Sequence, residues 1–372
     1  MFDFIWNITL VCPWDCEFCC TDATHVKKGN KNIIISERGL SNSVFVRGEA
    51  EMIFRKRYPG IPHNIYDLAL IERQLAGEEP SLQEKLAILN NLPKSNIKID
   101  FAGGDPLSCY ENFLVIQEAS RRLGKEYISI TSTGHSVNRI GIGRLAETIG
   151  EFEFTYDEPR EDKNCRPIGY NASNLVIAKK FAELGVKTKA QIPIHIGNKD
   201  VNTIERLYED LNIANIDEIL LMRTFPVGRG ESFLRKNKID KITLLNVIDG
   251  YTQLSNAGKT KIRLQCALKH LYGGNSKNPC DILNTSFGIN YQGKLLLSAW
   301  ANNGNGQPLS DDFILGDLKI EGFDFISNKL KFKNIRQRLD ENKGHCKIFS
   351  YQYGGKNFES LFTKTDPLYS MN

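Results

Sequence analysis

Cys12-Pro13-Trp14-Asp15-Cys16-Glu17-Phe18-Cys19 places three thiols within eight residues, spaced C-x3-C-x2-C, directly after an apolar run from Phe2 to Val11. Four thiols would close a zinc or iron–sulfur site. Three thiolates on a tight loop can hold three irons of a [4Fe–4S] cluster and leave the fourth iron open to a ligand. The competing reading is a zinc knuckle that recruits Cys20, although neighbouring residues rarely both reach one tetrahedral ion. A second stretch is Phe101-Ala102-Gly103-Gly104-Asp105-Pro106. Its two glycines let backbone approach a ligand closely, and its N–H and C=O groups can hold an ammonium group. Taken alone, such a tetrapeptide is more often a plain turn. A third set lies near the end of the chain: Cys266, Cys280 and Cys346, with His345 beside the last.

These residues need a scaffold, and the hydrophobic pattern supplies one. The run from Phe2 to Val11 reads as a strand. Residues 21–93 are irregular, with a short strand at Asn32 to Ser36 and helical spacing over Glu49 to Tyr58 and Tyr66 to Ala76. Ser81 with Glu84 predicts a capping box for a helix through Leu92. Alternation then sets in. Strands are predicted over Asn96–Phe101, Tyr127–Thr131, Phe152–Tyr156, Val186–Ile194 and Glu218–Met222. Between them lie helices over Glu111–Leu123, Arg139–Ile149, Asn171–Leu184 and Val201–Leu211. Strands alternating with amphipathic helices imply βαβ units and a parallel sheet. Ligand sites in such sheets lie at the carboxyl ends of the strands, where the cysteine loop falls. After Gly228 the expected elements are a helix over Ile242–Ser255, a segment Lys261–Gln265, a hairpin from Ser286 to Leu297 and a last helix over Phe323–Asn342.

Composition narrows the function. The chain has 372 residues, 41% hydrophobic and 25% charged, enough for one large domain and a smaller one. A net charge of +4 without a Lys/Arg block gives nucleic-acid binding little support. Nine cysteines without a secretory signal read as metal ligands rather than disulfides. No stretch is apolar enough to span a membrane. A reducing cytoplasm is the expected location.

The spacing C-x3-C-x2-C, with Phe18 just before the last cysteine, resembles the signature of the radical S-adenosylmethionine (radical SAM) enzymes. Gly103-Gly104-Asp105-Pro106, after the next barrel strand, resembles their Gly-Gly-Glu-Pro motif, with Asp105 in place of Glu. The resemblance implies a partial (β/α)6 TIM-like barrel over 1–228, with an insertion at about 21–93. Cys12, Cys16 and Cys19 would hold the cluster, and its open iron would take the amino and carboxylate groups of S-adenosylmethionine. Further contacts to that molecule would come from Thr131 and Ser132 after strand three, Asp157 after strand four, Gln191 on strand five and Arg223 after strand six. Arg223 to Gly230 also resembles the Pro-x-Gly-Arg turn of the family. Cys280-x12-Gly293-x4-Ser298 keeps the frame of the SPASM and twitch subgroups, with Ser298 at the last cysteine position. This implies a smaller α+β auxiliary-cluster domain over 229–372. In it Cys266, Cys280 and Cys346 would hold a second [4Fe–4S] cluster, with Ser298 or His345 as a further ligand. Cys109 and Cys165 are candidate hydrogen-atom donors.

The resemblance implies reductive cleavage of S-adenosylmethionine to a 5′-deoxyadenosyl radical that abstracts a hydrogen atom from substrate. A flavodoxin or ferredoxin would supply the electron. The leading substrate is a ribosomally made peptide that is crosslinked, epimerised or oxidised. A leader-binding module before the barrel is not expected. That, with the reduced cysteine count, favours the alternative of a twitch-type dehydrogenase or rearrangement enzyme for a small molecule such as a sugar or cyclitol. A further alternative is a non-catalytic iron–sulfur or zinc binding module.

Overall fold

A computed structural model describes residues 1–30, 32–37, 40–45, 48–158, 165–272, 280–342 and 345–370. Its strands are β1 (Phe2–Thr9), β2 (Val11–Cys12), β3 (Thr24–Lys28), β4 (Asn32–Glu37), β5 (Leu40–Phe45), β6 (Ile97–Gly103) and β7 (Ile128–Thr131). They continue with β8 (Glu151–Thr155), β9 (Lys187–Ile194), β10 (Glu218–Arg223), β11 (Lys261–Leu264), β12 (Ser286–Ile289), β13 (Lys294–Leu296) and β14 (Ile314–Asp317). Ten of them form one sheet in the order β11-β10-β9-β8-β7-β6-β1-β12-β13-β14. From β1 through β6 to β10 every pair is parallel. Helices Tyr110–Leu123, Tyr170–Glu183 and Val201–Ile213 lie between successive strands. Consecutive strands that always step the same way put all right-handed crossovers on one face. This is the expected α/β architecture of a partial barrel.

That face carries the core. Phe4, Trp6 and Ile8 of β1, Ile97, Ile99 and Phe101 of β6, and Phe152 and Phe154 of β8 are buried in one apolar cluster. Alternate residues point the other way, into the lumen. There the side chains are polar: Lys98, Asp100, Thr131, Glu151, Glu153, Lys189 and Gln191 hydrogen-bond from strand to strand, Lys98 reaching past β7 to Glu151 of β8.

The strands beyond residue 228 join this sheet at both edges. β11 pairs in parallel with β10, and β12 in parallel with β1. The predicted hairpin is present as β12 and β13, with β14 added antiparallel. An open sheet leaves unpaired N–H and C=O groups at each edge, and the C-terminal segment satisfies both. Two predicted helices are broken. Gly141, at φ +95°, separates Val137–Ile140 from Ile142–Thr148. Lys329 takes extended backbone between Phe323–Asn328 and Leu330–Arg338.

The insertion is more regular than its sequence suggests. β2 to β5 form a separate four-stranded sheet, of which only β4 was predicted. Helices Glu49–Arg57, Ile65–Leu75 and Leu82–Asn90 follow, the last capped by Ser81 and Glu84 as expected. Val11, Val26, Ile33, Phe54, Tyr66 and Leu70 form a second core beneath this sheet.

Candidate active site

The thiol loop begins where β1 loses its register against β6, between Asn7 and Thr9. Two glycines make this possible. A Cβ on Gly103 (φ +118°) would lie 2.4 Å from the Thr9 carbonyl oxygen, and one on Gly104 2.3 Å from that of Val11. The Gly104 N–H donates to Thr9 at 2.7 Å, and the Asp105 N–H to Val11 at 2.9 Å. These amides are therefore spent on the strand leading to Cys12 rather than presented to a ligand. The Gly103 carbonyl accepts from Thr21 Oγ1 at 3.4 Å. From the insertion, the buried Glu79 carboxylate accepts from Thr9 Oγ1 at 2.7 Å and from the Leu10 N–H at 2.9 Å. Arg73 Nε donates to the same carboxylate at 3.2 Å.

Asp105 is fully buried. Its carboxylate accepts from the Leu107 N–H at 3.0 Å, from Ser132 Oγ at 2.9 Å and from Thr133 Oγ1. Burial pushes its pKa up, against the pull of these donors. It thus ties the β6 turn, including Pro106, to the β7 turn. Thr131 points into the lumen, where its hydroxyl donates to Asp100, and Gln191 donates to Glu153 at 2.7 Å.

The three thiols are differently furnished. Cys12 is buried, whereas Cys16 and Cys19 keep partial exposure. Arg166 Nη1 donates to Cys16 Sγ at 3.1 Å. The Ala23 N–H donates to Cys19 Sγ at 3.4 Å, with Thr21 Oγ1 at the same distance. Burial raises the Cys16 pKa, and Arg166 opposes that rise. Burial raises Cys12 further, helped by the Asp105 and Cys16 charges. Among the described residues no three His, Cys, Asp or Glu side chains converge as a single ion requires. A tetrahedral zinc would hold its sulfurs roughly 4 Å apart, whereas a cluster takes each thiolate on a different iron. The loop, with N–H and hydroxyl donors at its sulfurs, fits the cluster.

Arg166 is the residue that sequence reasoning missed. Its Nε and Nη2 both lie 2.8 Å from Asp157 Oδ2. Its guanidinium sits 4.6 Å from the Phe18 ring centroid and 5.2 Å from that of Tyr170. It follows a charge-rich stretch that reads as a solvated loop, of which 159–164 lie outside the described residues. Phe18 is buried against His195 and Phe233. The predicted Pro-x-Gly-Arg turn grips the loop from the other side. Arg229 donates from Nε to the Cys16 carbonyl at 2.8 Å and from its N–H to the Cys19 carbonyl at 2.9 Å. Gly228 (φ +55°) has no room for a Cβ beside the Cys19 and Cys20 carbonyls.

Arg223 does pair with a carboxylate, but it is the chain's own buried Asp366. The guanidinium also stands 3.4 Å over the Phe349 ring. Cys109, expected beside the reacting centre, is sealed in the insertion's core with Sγ 3.4 Å from the Tyr66 carbonyl. Cys165 is partly exposed next to the thiol loop, its carbonyl accepting the Glu17 N–H at 3.1 Å. Burial first, and Glu17 second, push its pKa up to about 11. Cys266, Cys280 and Cys346 come close enough to perturb one another: after burial, Cys346 and Cys280 are the next causes raising Cys266. Cys346 is pushed up to about 12 by burial and then Cys280. Lys347 and two backbone N–H groups, of Ile282 and Lys347, oppose the rise at Cys280. Ser298 Oγ accepts the Trp300 N–H at 3.2 Å. His345 lies near Asp366 and Lys347, its pKa lowered by burial.

No family model matches the sequence, and no curated protein matches it significantly. Solved structures do match. SuiB of Streptococcus suis bound to S-adenosylmethionine superposes with a TM-score of 0.58 at 14% identity, over 90% of this chain and 67% of that one. SuiB bound to its precursor peptide SuiA gives 0.55 at 14% identity, over 90% and 66%. Native anSMEcpe with AdoMet and the Cp18Cys peptide gives 0.53 at 14% identity, over 89% and 81%. The chain thus spans about two thirds of the length of SuiB. These neighbours are radical SAM enzymes, and the chain has their fold. Among the described residues no helix is long and apolar enough to cross a membrane.

Proposed function

We propose that this chain is a radical SAM enzyme that modifies a peptide. The observation that carries this is the three-thiol loop, clamped by the Gly103–Gly104 turn and by Gly228–Arg229, with Arg166 on Cys16, at the carboxyl end of the first strand of this fold. Cys12, Cys16 and Cys19 would hold a [4Fe–4S] cluster. With S-adenosylmethionine on its open iron and an electron from a flavodoxin or ferredoxin, that cluster would supply the 5′-deoxyadenosyl radical. The chain's own part is positional. Asp105 holds the β6 and β7 turns together, Asp157 orients Arg166, and Phe18 packs the loop against His195.

Residues 1–228 form the catalytic barrel in this proposal, and 229–372 an auxiliary domain that completes its sheet. Cys266, Cys280 and Cys346 would hold a second cluster. A peptide is the favoured substrate because SuiB and anSMEcpe, which share the fold, were both solved with peptides. Crosslinking, epimerisation and oxidation are all open to a carbon-centred radical formed there. The test is anaerobic reconstitution with iron and sulfide, followed by dithionite and S-adenosylmethionine. Formation of 5′-deoxyadenosine above background is expected. A protein that takes up iron and sulfide yet cleaves nothing would sink the proposal in favour of a binding module.

A further inference from the structure

The lumen of the partial barrel carries a polar ladder in which only Thr131 and Gln191, expected as contacts to S-adenosylmethionine, have a role above. At its base Lys98 Nζ meets Glu151 Oε2 at 2.6 Å. Lys189 Nζ bridges Glu151 Oε1 at 2.5 Å and Glu153 Oε1 at 2.7 Å. Gln191 Nε2 caps Glu153 Oε2 at 2.7 Å. Each of these acids therefore has a cation of this chain at contact distance. Asp100 does not. Among the described residues its only hydrogen-bonding partner is the neutral hydroxyl of Thr131, at 3.1 and 3.2 Å.

Two further observations mark Asp100 as the wall of a site. It is only partly buried, so some of its surface stays accessible. Beside it in register on β7 stands Ser129, fully buried, with a hydroxyl that has no partner among the described residues. Strand alternation turns Ser129 to the same face as Thr131, into the lumen. A buried hydroxyl without a partner is destabilising unless a ligand or water satisfies it. Three residues separate Asp100 from Gly103, which puts this pair about 10 Å down the strand from the thiol loop.

We propose that Asp100 and Ser129 form the floor of a substrate subsite that takes a cationic, hydrogen-bond-donating group, an ammonium or a guanidinium. This rests on the radical SAM reading for what lies above the floor. A bound cation would give Asp100 the counter-charge its neighbours already have, and its N–H groups could be shared between the carboxylate and Ser129 Oγ. A norleucine-like chain of the same length would leave both polar groups buried and unpaired, which is how such sites discriminate. Burial first and the Glu153 charge second raise the Asp100 pKa to about 7, with Lys189 of β9, Lys98 of β6 and the Thr131 hydroxyl pulling down. Cation binding should therefore strengthen as pH rises through 7, when the carboxylate is ionised.

The experiment uses the reconstituted holoenzyme and calorimetric titration with N-acetyl-lysine methylamide, its arginine counterpart and the norleucine isostere, with and without saturating S-adenosylmethionine. The lysine or arginine probe should bind at least about 10-fold tighter than norleucine. Asp100→Asn should abolish that preference, and Ser129→Ala, which removes only one hydroxyl, should reduce it several-fold. No preference in the wild type, or a preference that survives in both variants, overturns the subsite. Displacement of the probe by S-adenosylmethionine overturns it as a substrate site. Failure of the functional reading shows separately: a cation preference in a protein that cannot cleave S-adenosylmethionine leaves the subsite standing and removes only the radical chemistry.

Discussion

The chain holds two sets of three cysteines, and the two are built differently. Cys12, Cys16 and Cys19 sit on one short loop, gripped at both ends by backbone, with Arg166 at the Cys16 sulfur and Thr21 and Ala23 at that of Cys19. Cys266, Cys280 and Cys346 are scattered through the C-terminal third and meet only because that segment wraps both edges of the sheet. Burial is the largest cause of the raised pKa values in both sets, at Cys12 and Cys16 as at Cys280 and Cys346. A thiol must lose its proton to bind metal, so a site whose charge is compensated in advance loads more readily. The comparison teaches that the first set lies on one short loop that remote backbone and Arg166 clamp, whereas the thiols of the second come from separate elements of the C-terminal segment.

The sharpest way to break that comparison is to delete one thiol from each set. Cys16→Ala should abolish 5′-deoxyadenosine formation. Cys280→Ala should keep it and lose turnover of the proposed peptide substrate, measured by mass spectrometry. Equal loss of S-adenosylmethionine cleavage in both variants would erase the distinction. Next in size is the frame itself. Gly104→Ala would drive a Cβ to 2.3 Å from the Val11 carbonyl, which backbone movement must relieve at a cost of about 3 kcal/mol. The expected outcome is a folded protein by far-ultraviolet circular dichroism that takes up markedly less iron on reconstitution. Normal iron content in this variant would mean the turn is not what shapes the loop.

Much of this frame was legible in the sequence, for reasons that also explain what was not. Alternation of strand and helix is a local signal, and it located all six parallel strands from β1 to β10. The glycines at 103 and 104 announced a close backbone approach, but not that the approaching partner is β1 rather than a ligand. That depends on a register shift between Asn7 and Thr9, which no periodicity records. Arg166 was invisible because its partners, Cys16 and Asp157, are joined to it only by how one loop folds over another. β3 and β5 were missed because Thr24–Lys28 and Leu40–Phe45 are short and polar, and pair with β4 rather than with the main sheet. Lys261 to Leu264 could be read as a strand, but which sheet edge it joins is a tertiary fact.

A smaller effect sharpens the comparison at the sulfur level. Arg166→Met removes the donor to Cys16 and leaves Asp157 buried without its cation. Loss of such an outer partner costs about 10-fold in metal affinity or activity. Iron retention against a chelator should fall accordingly, with Arg166→Lys restoring part of it. The equivalent change in the C-terminal set, Lys347→Met beside Cys280, should alter iron retention less. If Arg166→Met retained iron as the wild type does, the first set would owe nothing to its charge compensation.

The smallest predicted effect lies beneath the first set, in the lumen, and shows up as a pH slope. Asp100 is raised to about 7 by burial and by Glu153, against about 3.9 in an unfolded chain. The native state therefore binds more protons than the unfolded state between those values. Stability from this group is full below about pH 4 and is lost as pH rises through 7. Glu151, held at about 2 by Lys189 and Lys98 against its burial, contributes with the opposite sign and is fully ionised throughout that window. Asp105, raised by burial, contributes with the same sign as Asp100, so Asp100's share of the fall is the part that its own substitution removes. Asp100→Asn should flatten the curve of urea midpoint against pH over this range, with the variant more stable than the wild type at pH 8. An unchanged slope would show that the lumen already neutralises Asp100 without a ligand.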